Sequence, residues 1–565
     1  MVSKNLWSDR RGSLQVVMAL SALPLLMMTG IAIDIGSAHN HKVELQTAVD
    51  NVALQLAKRS ALNPAMTATE LVSDGKAMLD RTIPFPIDYA EFSVDTGGII
   101  VRIDASVQYE TAFAGIIGKD RIALRATADS RFRRKNIEIA VTVDTTNSMD
   151  KILSGKTRLE GAKEAVHAFT DAVMTGTNTA LNTSVKLALV PFDNQVKVLQ
   201  DDKAQWIEYD PRRAFSWIDN FGQSSIHRIY LPKYTAYLSD GTHTDQSIDR
   251  WRIFRKLRQH GGNKYGWNGC LEMRPGKYTF SVAAPVRYDP NSLFTPFLAP
   301  DQPDNRDEYN NNKSPNSYLP DQGPACNSPR APEGKDAWER RELNVCKYDD
   351  RAGPLQVGRY ARSDSYAYVD ANPNGFCTGN NPVFPLSTDV QGFLAGVDAL
   401  STKGSWGGTI MPIGFYWAWN ALDKAEPLPE AAPAGEADKY IIFLSDGKNS
   451  THPLRFNSYS PFGYPGDDRW DAAAGFDDDG DITRDEALHS MTYKMCDAIK
   501  ADPANITVYF VYYLDKYDAE AEKIGKHCAS GDDKFIVAGD RDKLIETFRT
   551  IGRDISRLRL VPYDS

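Results

Sequence analysis

Apolar positions change period three times along this chain. From Ser13 to Ile33 no residue is charged (SLQVVMALSALPLLMMTGIAI), a run about as long as the ~20 residues that cross a bilayer. Leu45, Ala48, Val49, Val52, Ala53 and Leu56 then recur at i, i+3, i+4 spacing, which predicts an amphipathic helix. Residues 65–135 read as a small α+β unit, with AMTATELVSDGKAML helix-like and GGIIVRIDASVQY and DRIALRATADSRF alternating as strands. Arg131–Lys135 (RFRRK) reads as a solvated hinge.

After the hinge the pattern becomes α/β. IEIAVTV from Ile137, SVKLALVPFD, KYIIFL from Lys439 and ITVYFVY from Ile506 are continuous apolar runs, as strands buried on both faces require. Between and after them lie helical patterns. One is TRLEGAKEAVHAFTDAVMTG, with Leu159, Ala162, Ala165, Val166, Phe169 and Val173 on one face; another is Asp542–Leu558. Strands alternating with helices predict a doubly wound, mostly parallel sheet. Residues 200–388 interrupt it. That segment is rich in Pro, Asn, Asp and Tyr, holds four cysteines, and reads as a loop-rich, disulfide-stapled insertion.

Composition narrows the function classes. A chain of 565 residues is long enough for two or three domains. A net charge of −9 gives nucleic-acid binding no global electrostatic support. Cys270, Cys326, Cys346, Cys377, Cys496 and Cys528 are too scattered for a paired zinc motif, and their even number suits disulfides in an oxidising compartment. Lys4, Arg10 and Arg11 before the apolar run predict a cytoplasmic N-terminus, with the rest of the chain across the membrane. The run exceeds the ~7–15 apolar residues of a cleaved signal peptide. A retained anchor is therefore the expectation, although Gly36-Ser37-Ala38 could serve as a cleavage site. Cys496, in TYKMCDAIKA, and Cys528, ending EAEKIGKHC, flank one strand and are expected to pair. The four insertion cysteines have three connectivities open to them.

The candidate chemistry lies where apolar runs stop. The strand from Ile137 ends on Asp144, and Thr146, Asn147 and Ser148 follow at once. Asp446, then Gly447, stands just beyond KYIIFLS, and Thr409 lies on the glycine-rich loop GSWGGTIM before a helix. Open α/β sheets gather such loops at the carboxyl ends of their strands. Two carboxylates and three hydroxyls are hard oxygen ligands, suited to Mg²⁺ first, with Mn²⁺ or Ca²⁺ as alternatives, and not to zinc. A second, partial calcium loop runs from Asp477 through Asp479 and Asp481 to Glu486. Gly480, Ile482 and Glu486 fit positions 6, 8 and 12, while position 1 falls on Gly475 instead of Asp. Gly155-Lys156-Thr157 lacks the first glycine of a phosphate loop, which would fall on Asp150, so no nucleotide is expected. Neither H-E-x-x-H nor G-x-S-x-G occurs, and His489 and His527 read as helix-surface residues. No general base stands beside a nucleophile, so the chain is not expected to be an enzyme.

The stretch DTTNS from Asp144 resembles the D-x-S-x-S motif of the metal-ion-dependent adhesion site of von Willebrand factor A domains, with Thr146 in place of the first serine. The resemblance covers residues 136–199 and 389–558. It implies a Rossmann-like von Willebrand A fold with Asp144, Thr146, Ser148, Thr409 and Asp446 about the ion. The N-terminus RRGSLQVVMALSALPLLMMTGIAIDIGSAHNHKVELQTAVDNVALQLA, the segment WNGCLEMRP and the tail CASGDDKFIVAGDRDKLIETFRTIGRDISRLRL are similar to TadG-like proteins of Flp/Tad pilus assembly. That resemblance implies a bacterial inner-membrane protein with one span, its bulk periplasmic or exported. Its expected parts are a tail (1–12), a transmembrane helix (13–36), a pilin-like stalk (37–135), and a von Willebrand A domain interrupted by the insertion (200–388). The implied partner is a pilus or secretion-system protein offering a carboxylate to the ion. A cell-surface adhesin, or an envelope scaffold with a vestigial site, is the alternative; a metal-assisted hydrolase is less favoured.

Overall fold

The computed structural model describes residues 11–62, 66–95, 100–133, 136–176, 184–198, 234–237, 243–246, 250–286, 289–302, 316–320, 323–325, 345–358, 360, 371–375, 377, 381–403, 408–451, 459–463, 484–556 and 561–562. These fall into two compact units. The first comprises residues 1–134, 179–182 and 557–565; the second comprises 135–178 and 183–556.

The first unit is built on helix α1 (Arg11–Leu62), which contains Pro24. Its N-terminal half leaves Leu20, Leu25, Leu26, Met28 and Ile33 exposed. It is the one helix among the described residues long and apolar enough to cross a membrane. Its second half buries the face that the spacing predicts: Leu45, Ala48, Val49, Val52, Ala53 and Leu56 all lie in a core. They pack with helix α2 (Ala68–Thr82) and with strands β1 (Tyr89–Asp95), β2 (Ile100–Glu110) and β3 (Arg121–Arg133), which pair in that order, antiparallel. A capping box at Thr67 and Glu70 starts α2 by satisfying two otherwise orphaned donors. Val561–Pro562 adds to the free edge of β3.

The second unit is mixed α/β around a mostly parallel sheet. Its strands are β4 (Asn136–Asp144), β5 (Val185–Phe192), β6 (Phe384–Ser387), β7 (Ala437–Ser445), β8 (Thr507–Tyr513) and β9 (Phe535–Ala538). Their order is β6-β5-β4-β7-β8-β9, and only the β6–β5 pair is antiparallel. Alternate residues feed two cores. Ile139, Val141 and Val143 face α3 (Arg158–Gly176), α4 (Val390–Asp398) and α8 (Arg541–Ser556). Ala140, Ala188, Val190 and Phe192 face α5 (Met411–Ala421), α6 (Arg484–Lys500) and α7 (Ala519–Cys528). Helix α5 is buried all round, because Phe415 stacks on Phe443 while its opposite side meets the insertion. The chain reverses direction across the sheet between β4 and β7, a topological switch point where ligands tend to bind.

The insertion is tied into this unit. Leu271, Met273 and Phe294 join the α5 core. Arg274 is buried, with its guanidinium donating to Tyr416 Oη and to the carbonyls of Ser281, Ala283 and Ser292. Cys270 is bonded to Cys377, Cys346 is also disulfide-bonded, and Cys326 lies outside the described residues.

A third disulfide joins Cys496 of α6 to Cys528 of α7. Both sulfurs lie in the core beneath β8. Replacing both cysteines by serine should lower unfolding free energy by about 2–4 kcal/mol, because a cross-link of this span restricts the unfolded chain. Urea unfolding of the full chain in detergent, against wild type, checks this.

Candidate functional site

The carboxyl ends of β4 and β7 carry the acids on which the apolar runs stop. Asp144 closes β4 and is fully buried. Its Oδ1 accepts from Thr146 N at 2.8 Å and Thr146 Oγ1 at 2.6 Å. Its Oδ2 accepts from Ser445 Oγ, the last residue of β7, at 2.7 Å. Thr146 Oγ1 and Ser148 Oγ are 2.9 Å apart, and Ser148 Oγ donates to Asp446 Oδ1 at 2.6 Å. Asp144, Thr146, Ser148 and Asp446 therefore form one continuous chain of hydrogen-bonded oxygens across the switch point. The local cause is the turn at Asn147, where the backbone enters a 3-10 helix (Asn147–Asp150) and brings Ser148 back over the strand end.

Thr409 approaches from a third loop. Gly408–Thr409 pairs antiparallel with Ser450–Thr451, and Gly408 has φ 102°. A Cβ at Gly408 would lie 2.3 Å from Ser450 O, so only glycine fits there. The next two amides fix the loop. Ile410 N donates to Asp193 O beyond β5, and Met411 N donates to Asn449 Oδ1 beyond β7. Since β5 and β7 flank β4, this loop lies across the end of β4. No hydrogen bond joins the Thr409 hydroxyl to the other four residues.

Electrostatics show what the site lacks. Burial, and then the charge of Asp446, push the Asp144 carboxyl up to about 7, against the hydrogen bonds from Thr146 and Ser445. Asp446 has a partner that the pattern did not reveal. Arg158, at the start of α3, donates Nη1 to Asp446 Oδ2 at 2.7 Å and Nη2 to Asp515 Oδ1 at 2.8 Å. Arg158 and Asp446 are buried, while Asp515 is half exposed. Nearby, buried Asn194 has no hydrogen-bond partner for either side-chain amide atom among the described residues.

The donor set fits a hard divalent cation: two carboxylates with hydroxyls between them, and one carboxylate lacking a full counter-charge. Among the described residues no three His, Cys, Asp or Glu side chains are grouped to hold a metal, so the hydroxyls are essential to any such reading. If the ion binds, Asp144 must lose its proton. Mg²⁺ affinity should then rise about tenfold per pH unit up to about pH 7 and level off above it. Without ion the sign reverses. Between roughly pH 4 and 7 the folded chain holds a proton that the unfolded chain has shed, so stability falls as pH rises. Calorimetric titration and thermal melts at pH 5.5, 6.5 and 7.5, values chosen to bracket about pH 7, check both slopes.

Asp477, Asp479 and Asp481 of the second acidic loop lie outside the described residues. Glu486 sits on α6 beside a cavity of about 500 Å³, shared with Lys448, Asp485, His489, Glu520 and Lys523. His489 is buried there, with burial pushing its pKa down, which corrects its assignment to the helix surface. His527 is half exposed and its Nε2 bonds Asp497 Oδ1 at 2.9 Å.

Residues 12–55 match a family model described as putative Flp pilus-assembly TadE/G-like. No curated protein matches the chain. Among solved structures, the pilus adhesin SpaC from Lactobacillus rhamnosus GG is 10% identical with a TM-score of 0.29, covering 83% of this chain and 34% of its own. The PilB minor pilin from Streptococcus sanguinis is 9% identical with a TM-score of 0.29, covering 83% of this chain and 77% of its own. Likenesses this loose carry no weight for fold or function.

Proposed function

We propose that this chain is a membrane-anchored envelope protein of Flp/Tad pilus assembly that captures a protein partner through a metal-ion-dependent adhesion site in a von Willebrand A-like domain. The oxygen chain from Asp144 through Thr146 and Ser148 to Asp446, set at the switch point of the sheet, carries the reading. Asp144, Thr146, Ser148 and Thr409 would hold the ion, with Asp446 beside it. The ion supplies an open coordination position for a partner's carboxylate. The side chains' part is to orient it through fixed hydroxyls and to exclude water below it with the apolar ends of β4 and β7. The family match at residues 12–55 and the apolar half of α1 support the pilus and membrane parts. The site is a binding bridge and not a hydrolytic centre, since its acids are engaged with hydroxyls or with Arg158.

A second reading, an envelope scaffold that needs no ion, is favoured by Arg158, whose guanidinium already neutralises Asp446. Capture of a partner from envelope extract by the full-length protein, with Mg²⁺ or with chelator, separates the two. Chelator-sensitive capture supports the adhesion site; capture indifferent to chelator supports the scaffold.

A further inference from the structure

The first unit holds an apolar loop against the membrane-spanning part of its own helix. Between β2 and β3 the chain makes a short 3-10 turn, Ala114–Ile117. Phe113, Ile116 and Ile117 on this loop are 44%, 66% and 59% exposed. Three large apolar side chains held out on the loop between Glu110 and Arg121 are costly in water.

The loop's position along α1 says what covers them. A Cβ at Gly30 would lie 2.7 Å from Phe113 Cγ, so the ring lies directly on the helix at Gly30. Gly30 belongs to the uncharged run Ser13–Ile33, and the first charge, Asp34, stands four residues on, about 6 Å along the axis. Whatever solvent surrounds Gly30 also surrounds Phe113. Leu26 and Ile33, one turn either side of Gly30, are exposed on the same face, and Leu25 and Met28 expose apolar side chains on the other. Beyond Asp34, His39, His41 and Lys42 return the helix to polar surroundings, and Lys119, Asp120 and Arg121 do the same for the loop.

The backbone fits that solvent. Irregular backbone survives next to lipid only where its polar groups are satisfied internally. Buried Asp34 accepts Ala112 N through Oδ1, and Phe113 N and Ala114 N through Oδ2. Ile116 N, Gly118 N and Lys119 N donate to the carbonyls of Phe113, Gly115 and Ala114. The one acid at the end of the span thus pins the loop to the helix and removes three donors that lipid could not satisfy.

We infer that Phe113, Ile116 and Ile117 insert into the interfacial layer of the bilayer on the exported side, a second membrane contact that fixes the height and tilt of the first unit on the surface. An apolar wedge of this kind sits ~5–10 Å into the headgroup–acyl boundary. This rests on the anchor reading of α1, and the test separates the two. The full chain, with no free native thiols among its described residues, is placed at one copy per lipid nanodisc. Single probes are attached after Ile117→Cys, Leu26→Cys or Tyr89→Cys. The Ile117 fluorophore should be quenched at least twofold by lipid carrying a nitroxide near the headgroup and resist aqueous iodide; Tyr89 should behave oppositely. Lipid quenching at Leu26 with iodide quenching at Ile117 equal to Tyr89 overturns the loop's insertion alone. Protection from iodide without lipid quenching at Ile117 means protein covers it, and also overturns the insertion. No quenching at Leu26 by lipid carrying a nitroxide along its acyl chain overturns the anchor, and the insertion with it.

Discussion

Asp144→Ala should abolish divalent-ion binding and, with it, chelator-sensitive capture of the partner. The substitution removes the carboxyl that accepts from both Thr146 and Ser445, and the acid expected to neutralise the ion most directly. The loss should exceed the ~10–100-fold that follows from removing a mere outer-shell group. Stability without ion should change little. Alanine leaves Thr146 N without its acceptor and the Thr146 and Ser445 hydroxyls with only Ser148 Oγ and Gly447 O, a cost of about 1–3 kcal/mol. It also removes a carboxyl whose ionised form the burial disfavours, and the two effects oppose each other. The thermal midpoint should therefore move by only a few degrees. Thr146→Ser keeps the hydroxyl and should be nearly silent. Thr146→Val keeps the shape, loses the oxygen, and should behave like Asp144→Ala. Calorimetric titration with Mg²⁺ and Mn²⁺ is the measurement. An Asp144→Ala protein that binds the ion as wild type does would leave the stretch VTVDTTNSMD a polar turn and nothing more.

What the sequence could reveal was what is written in local periodicity. The face of α1 from Leu45 to Leu56 and that of α3 from Leu159 to Val173 are buried as their spacing requires, because a helix meeting one surface must repeat its apolar side every 3.6 residues. Parallel strands β4, β5, β7 and β8 were legible as unbroken apolar runs, since both their faces are covered; β9 was not, because only Ala538 of its four residues is buried. Strand β6 was not: its four residues fall inside the span read as the insertion (200–388) and carry no period, yet they pair with β5 in the main sheet. Strand β1 was missed too: YAEFSVD alternates, but its apolar members are only partly buried. At the site, Asp144, Thr146 and Ser148 were legible because they are neighbours, and Asp446 because a second strand stops on it. Ser445 and Arg158 were not. Their bonds to Asp144 and Asp446 span 301 and 288 residues, and nothing local distinguishes Arg158 from a surface arginine at a helix start.

That arginine makes the site's ion dependence open to a sharper test. Arg158→Leu should destabilise the ion-free protein by about 3–5 kcal/mol, the usual cost of stripping one member from a buried pair. Among the described residues Asp446 would keep only the Ser148 hydroxyl, and its charge would stand beside Asp144 with no paired cation. Asp515, half exposed, would return to water at little cost. A divalent ion would then be the one remaining source of positive charge for two neighbouring carboxylates. Mg²⁺ should accordingly raise the melting temperature of Arg158→Leu by more than it raises that of wild type, and bind it more tightly, because no guanidinium competes for Asp446. Arg158→Lys, which keeps a charge but loses the two-armed geometry, should fall between the two. Thermal melts across a Mg²⁺ titration read all three. Should Arg158→Leu be equally unstable at every Mg²⁺ concentration, the arginine is the site's permanent cation. The oxygens of Asp144, Thr146, Ser148 and Asp446 then serve only to close the end of the sheet.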